Sequence, residues 1–306
     1  MNNSSLFRHR ALRTLVFVVA SSLAGFGSVI GTFDRSYQVT GPVDLEVLTH
    51  SGDITIRNGA TGTVSIHAKI HSGNSWFMGE RKPEIQELQT NPPIRQNGNS
   101  IRIDYVNLRN ISIDYEITVP EQTSVRTHSG SGDQTVEGIK GNTDLESGSG
   151  DLRLERLTGD LHFQTGSGDV RGRQISGPAR VKAGSGDIEI EETGAGDVDV
   201  HTGSGNITVN GINGGFRAEA GSGDIHGRGS LKSLWSIRTG MLKTHAMRAV
   251  KFTSPSTTQE SHHIETRLIA RVTHPAPFTP SPSITLRSNA PRPVAKSLVR
   301  FTNIAS

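Results

Sequence analysis

The tetrapeptide Gly-Ser-Gly-Asp returns through the middle of this chain at a nearly fixed interval. Its aspartates are Asp133, Asp151, Asp169 and Asp187; Asn206 then takes the same slot, and Asp224 follows. The steps are 18, 18, 18, 19 and 18 residues. So short and regular a period marks a structural repeat, each unit of which buries its apolar side only against its neighbours. The coil that starts at Asp151 carries two runs of alternating apolar residues, Leu152/Leu154 and Leu161/Phe163. Other coils repeat them as Ile188/Ile190 with Val198/Val200, and as Ile207/Val209 with Phe216/Ala218. Period-two alternation is the mark of a half-buried strand. A third apolar position falls six residues after the Asp, at Ile139, Leu157, Ile175 and Ile212. Each coil therefore reads as two strands and two turns, and the glycines at the corners supply the positive φ of a tight reversal. The expected fold is all-β: a β-solenoid of about six 18-residue two-strand coils, preceded by a β-rich N-terminal capping section.

Stacking at about 4.8 Å would align the aspartates in a column. Each neighbouring pair would repel by roughly 0.9 kcal/mol in water. Two arrangements relieve this: hydrogen bonds from turn amides, or bound cations such as Ca²⁺. The calcium β-roll pattern Gly-Gly-x-Gly-x-Asp fits poorly, and Asn206 in the column favours the amides. The 19-residue step falls where Glu191 and Glu192 lengthen one coil, an insertion expected to be absorbed at a corner.

Four segments follow from the composition. Residues 1–32 read as a signal peptide or N-terminal anchor: Arg8, His9, Arg10 and Arg13 precede the apolar stretch Leu15 to Ala24, and Ser22-Leu23-Ala24 suits cleavage. Either form places the body of the protein outside the cytoplasm, in the periplasm, at the cell surface or secreted. Residues 33–125 are β-rich but out of register, with strand-like runs at Val43–Val47, Ile54–Arg57, Val64–Ile70, Ile101–Tyr105 and Ile111–Val119. Ser51-Gly52-Asp53 is an early echo of the repeat, and Pro83 to Leu88 can form a short helix. Residues 126–240 are the solenoid. Residues 241–306 contain no glycine, although the chain has 35, and carry 9 Lys/Arg against 2 Asp/Glu, a net of +7. The first 240 residues thus hold +3 − 7 = −4. The repeat breaks off in mid-phrase at Thr239-Gly240, so this tail reads as a frameshift product ahead of a natural disordered segment or a folded accessory domain.

The chemistry is sparse. There is no cysteine, which removes disulfides, thiolate metal sites and thiol nucleophiles. His162, His201 and His226 occupy different offsets in their coils and read as solvated surface residues. Paired carboxylates could serve glycoside hydrolysis, and Asp160, Asp197, Asp199, Glu189, Glu191 and Glu192 are available, but nothing in the sequence singles one out. The serine of Gly-Ser-Gly-Asp is no nucleophile elbow, since neither a helix nor a partner His accompanies it. Trp76 and Phe77 read as a plug for the open end of the solenoid, or as a contact for a glycan or a protein. No catalytic, cofactor-binding or metal residue is assigned.

The stretch Ser129-Gly130-Ser131-Gly132-Asp133-Gln134-Thr135-Val136-Glu137-Gly138, the recurring Thr/Ala-Gly-Ser-Gly-Asp phrase, and Asn110 to Pro120 together resemble a bacterial putative-adhesin family, also known as a domain of unknown function. The resemblance covers about residues 33–240. It implies a β-solenoid in exported or membrane-linked proteins and no catalytic residues. The resulting expectation is an exported, non-catalytic binding or structural module of the cell envelope, with envelope polysaccharide or a surface protein as partner. Nucleic acid is not expected as a partner, and membrane contact only through an uncleaved N-terminus. The competing expectation is a polysaccharide-active solenoid enzyme, a lyase or hydrolase.

Overall fold

A computed structural model describes residues 28–72, 82–230, 235–239, 283–286 and 296–300 of the chain. The N-terminal residues read above as a signal peptide or anchor, the aromatic pair Trp76 and Phe77, and most of the tail lie outside these residues.

Alternating apolar residues produce two facing 11-stranded sheets, and successive coils add one strand to each. From Thr123 onward the longer strands are Thr123–Ser131, Thr143–Ser149, Leu161–Ser167, Ala179–Ser185, Val198–Ser204 and Phe216–Ser222. The shorter ones are Gln134–Glu137, Leu152–Glu155, Val170–Ile175, Ile188–Glu192, Ile207–Ile212 and Ile225–Ser230. All pair in parallel, and the longer strands pair each residue with its counterpart in the next coil. Inward residues therefore stack in columns. Leu145, Phe163, Val181, Val200 and Ala218 form one, all fully buried.

The early echo at Ser51-Gly52-Asp53 belongs to a true coil. Val43–Ser51 pairs with Thr123–Ser131, and Ile54–Asn58 pairs with Gln134–Glu137, in the same parallel register. The out-of-register residues between them are an insertion in a continuous solenoid, so both sheets run unbroken through residue 125. The insertion holds Thr63–Ser72, the helix Lys82–Thr90, Ile94–Asn97, Ser100–Ile103 and Ile111–Val119. With Ser28–Gln38 it closes the N-terminal end. The helix forms where Pro83 predicted one. It buries Ile85, and the Arg35 guanidinium donates to the terminal carbonyls of Gln89 and Thr90 at 2.9 and 2.7 Å. At the other end, Lys296–Arg300 and Ser283–Leu286 pair antiparallel with Ile225–Ser230 and Trp235–Thr239.

The aspartates form one column, and amides relieve it. Asp151 N–H donates to Asp133 Oδ1, Asp169 N–H to Asp151 Oδ1, and Asp187 N–H to Asp169 Oδ1, each at 2.9 Å. The column starts earlier, with Asp53 N–H on Asp114 Oδ1 and Asp133 N–H on Asp53 Oδ1. The donor belongs to the next coil and not to the local turn. Asn206 fits because its Oδ1 accepts the Asp224 amide at 3.0 Å as a carboxylate would. The second oxygens are also engaged: Arg153 reaches Asp133 and Asp151 at 2.6 and 3.1 Å, and Arg171 reaches Asp169 at 2.6 Å and Asp151 at 3.5 Å. Burial alone would raise the Asp133 carboxyl, but the Arg153 hydrogen bond and the Asp151 amide outweigh it and hold its pKa below the usual value. At Asp133, Asp151 and Asp169, amides and guanidinium groups thus engage both carboxylate oxygens.

Two local features were not legible in the repeat. Five residues after the Asp, four coils take a positive φ, at Gly138 (72°), Arg156 (55°), Gln174 (55°) and Gly211 (81°). In the lengthened coil, Glu192 does not loop out at a corner. It pairs with Ile175 in the inward column and is only 4% exposed. The Asn213 backbone amide faces its carboxyl without forming a well-shaped hydrogen bond. Burial, the largest influence, pushes its pKa up to about 8; the Asn213 backbone opposes the shift and Asp197 adds to it.

Gly168→Val is expected to cost more than about 2 kcal/mol, read by chemical denaturation. Its φ is 145°, and a Cβ there would lie 2.1 Å from the Gly150 carbonyl oxygen. Asp151→Ala strands the half-buried Asp169 amide and is expected to cost about 1–2 kcal/mol, whereas Asp151→Asn retains most of the stability. A raised carboxyl pKa means that the folded chain holds a proton the unfolded chain has lost. The Glu192 contribution is therefore intact below its unfolded pKa of about 4.3 and is lost progressively up to pH 8. Glu192→Leu should raise the melting temperature at pH 8 and flatten its decline between about pH 5 and 8.

Candidate ligand groove

The start of each longer strand, beside the second corner, lines a groove of 880 Å³ that crosses successive coils. Its base lies over the buried Leu161, Ala179, Val198 and Phe216. Its outer wall is a cross-strand row: Arg126, Asp144, His162, Arg180, Asp199 and Arg217. These residues point outward because they alternate with the buried positions along each strand. The charges mostly alternate in sign, yet their contacts are loose. Arg126 lies 3.9 Å from Asp144, His162 4.0 Å from Asp144, and Arg217 3.8 Å from Asp199. Arg126 and Arg217 are 67% and 70% exposed. Ion pairs so long and so wet contribute little to stability and can be exchanged for a ligand at small cost. Asp144 Oδ1 and His162 Nε2 are covered by the wall and have no hydrogen-bond partner.

The candidate carboxylates do not gather. Asp160, Asp197 and Asp199 line the groove. Asp160 and Asp197 stand two coils apart, about 10 Å at the spacing of neighbouring strands. Asp197 is partly committed to structure, since its Oδ1 accepts the Gly215 amide at 2.6 Å. Glu189 and Glu191 lie on the outer face of the opposite sheet, and Glu192 is sealed in the core. The histidines also separate: His162 in the groove, His201 beside Glu219 at 3.8 Å in the next row, and His226 on the other sheet. Among the described residues, no group of three or more His, Asp or Glu is arranged to hold a metal ion.

One surface feature carried no signal in the repeat. After Ser100–Ile103 the chain brings Tyr105 over the outer face of the longer-strand sheet. The ring stacks on His50 with centroids 4.6 Å apart and meets His128 edge-on at 6.3 Å. It is 38% exposed. Partial burial, helped by Glu146 and Glu46, raises its phenol pKa, and Arg102 opposes the rise. His50 is seven residues after Val43 in the first coil, so its pairing partners became visible only once that coil took its place in the stack.

Residues 38–173 and 155–230 match the sequence family described as Toastrack DUF4097. The chain belongs to the Toastrack DUF4097 family. The two matched stretches overlap at 155–173, where the family pattern is entered again within the repeats of this Toastrack chain. No curated protein matches it. Among solved structures, it is similar to a putative cell adhesion protein from Clostridium sporogenes, with 12% identity over 58% of this chain and 99% of that one, at a TM-score of 0.34. A putative adhesin from Parabacteroides distasonis shares 13% identity over 65% and 95% of the two chains, TM-score 0.29. One from Bacteroides fragilis shares 14% over 64% and 93%, TM-score 0.26. Among the described residues, no helix is long and apolar enough to cross a membrane.

Proposed function

We propose that this Toastrack chain is an exported, non-catalytic module of the cell envelope that holds an extended ligand along its groove. The observation that carries this reading is the form of the groove wall. It is a loosely paired ionic row repeated coil after coil, with no carboxylates converging on one point. A ladder with a period near 4.8 Å suits a ligand that is itself repetitive, whereas a hydrolase needs two carboxylates facing each other across a single bond. Export rests on the basic and apolar N-terminal residues Arg8 to Ala24.

The full chain should be retained on at least one immobilised polysaccharide among cellulose, chitin and polygalacturonate. The double variant Arg180→Glu, Arg217→Glu should lower that retention at least tenfold with an unchanged melting temperature. Release of new reducing ends by the wild type, abolished by Asp160→Asn or Asp197→Asn, would replace the binding module with an enzyme.

A further inference from the structure

The ionic row of the groove continues beyond Arg126. Glu46 is the cross-strand neighbour of Arg126, and Arg102 is the neighbour of Glu46 and forms an ion pair with it. The row therefore runs onto the first coil and the hairpin beside it, where Tyr105 stands. Tyr105 stands over His50 and His128, one to two outward positions further along those strands than Glu46 and Arg126, so the ring lies beside this end of the row. Two imidazoles flank it, His50 stacked on one face and His128 perpendicular to it, and His128 is itself held by Glu146 at 2.9 Å. A ring fixed in this way loses little freedom when a ligand docks on it.

We propose that Tyr105 is a stacking subsite for a pyranose ring at the N-terminal end of the groove, and that the groove ligand is a saccharide chain. The inference rests on the groove reading above. A pyranose presents one apolar C–H face and a rim of hydroxyl groups. One rigid aromatic ring bordered by carboxylates that accept and guanidinium groups that donate matches both parts. Glu46, Glu146, Arg102 and Arg126 supply the polar contacts. A protein partner would call for a cluster of aromatic or aliphatic anchors. Here, among the described residues, the one other exposed large hydrophobic is Val29, on a different sheet. A nucleic acid would call for a surface of one sign, and this row mixes both.

The test titrates cellohexaose and chitohexaose calorimetrically into the full chain. At least one should bind, Tyr105→Ala should weaken it at least tenfold, and Tyr105→Phe should stay within threefold, because the ring face and not the hydroxyl makes the contact. Both variants should melt with the wild type. If Tyr105→Ala lowers the melting temperature, intermolecular NOEs between the sugar C–H protons and the Tyr105 ring in the wild type decide instead; their absence on bound sugar overturns the subsite. Unchanged affinity in Tyr105→Ala overturns it too, as does failure of both oligosaccharides to bind. If neither binds while retention on polygalacturonate still depends on Arg180 and Arg217, the subsite falls and the groove reading stands.

Discussion

At each main corner, parallel stacking presents an amide that a side-chain oxygen of the preceding coil receives, and this structure is organised around supplying that oxygen. At the main corner, glycine with positive φ turns the chain, as at Gly150 and Gly168. The amide of the next residue then faces the coil before it, and the carboxylate of that coil's aspartate receives it. A single oxygen thus seals the corner and fixes the register, since a slip of one residue would strand an amide and turn every apolar side chain outward. Like charges in a column look like a liability, but each carries a hydrogen bond to the next coil, and Arg153 and Arg171 stand between three of them.

Departures from the pattern are informative because the pattern is so uniform. Asn206 keeps the acceptor and drops the charge. Arg156 and Gln174 accept a left-handed backbone where other coils use glycine, because the corner geometry is set by its neighbours above and below. Glu192 places a carboxyl where the adjoining coils have Ile175 and Ile212, and burial holds its proton to about pH 8. This is the point in the described core where a polar group is least well satisfied.

The outward residues follow a different rule. Side chains that alternate with the core positions line up along the solenoid axis, so the groove wall is a property of the stack and belongs to no single coil. Its loose ion pairs contribute little to the fold, which leaves them free for a ligand. Tyr105 lies where the insertion crosses back over the first coil, beside the end of that row, and joins the irregular insertion to the regular face.

The 18-residue period, the two-strand coil, the glycine corners and the aligned aspartates were all legible in the residues, because local alternation and turn chemistry dictate them. So were the short helix at Pro83 and the strand runs around it. The sequence could also suggest that amides, and not cations, relieve the column. It could not show that the donors come from the next coil. Nor could it show that Ser51-Gly52-Asp53 belongs to the stack, since 80 residues separate Asp53 from its neighbour Asp133. Pairing across an insertion is decided by which sheet edge the returning chain meets, and no local signal encodes that. For the same reason, the burial of Glu192, the spacing of Asp160, Asp197 and Asp199 along one groove, and the seat of Tyr105 on His50 were settled only by the tertiary structure. Each depends on what the neighbouring coil presents at a distance of about 4.8 Å.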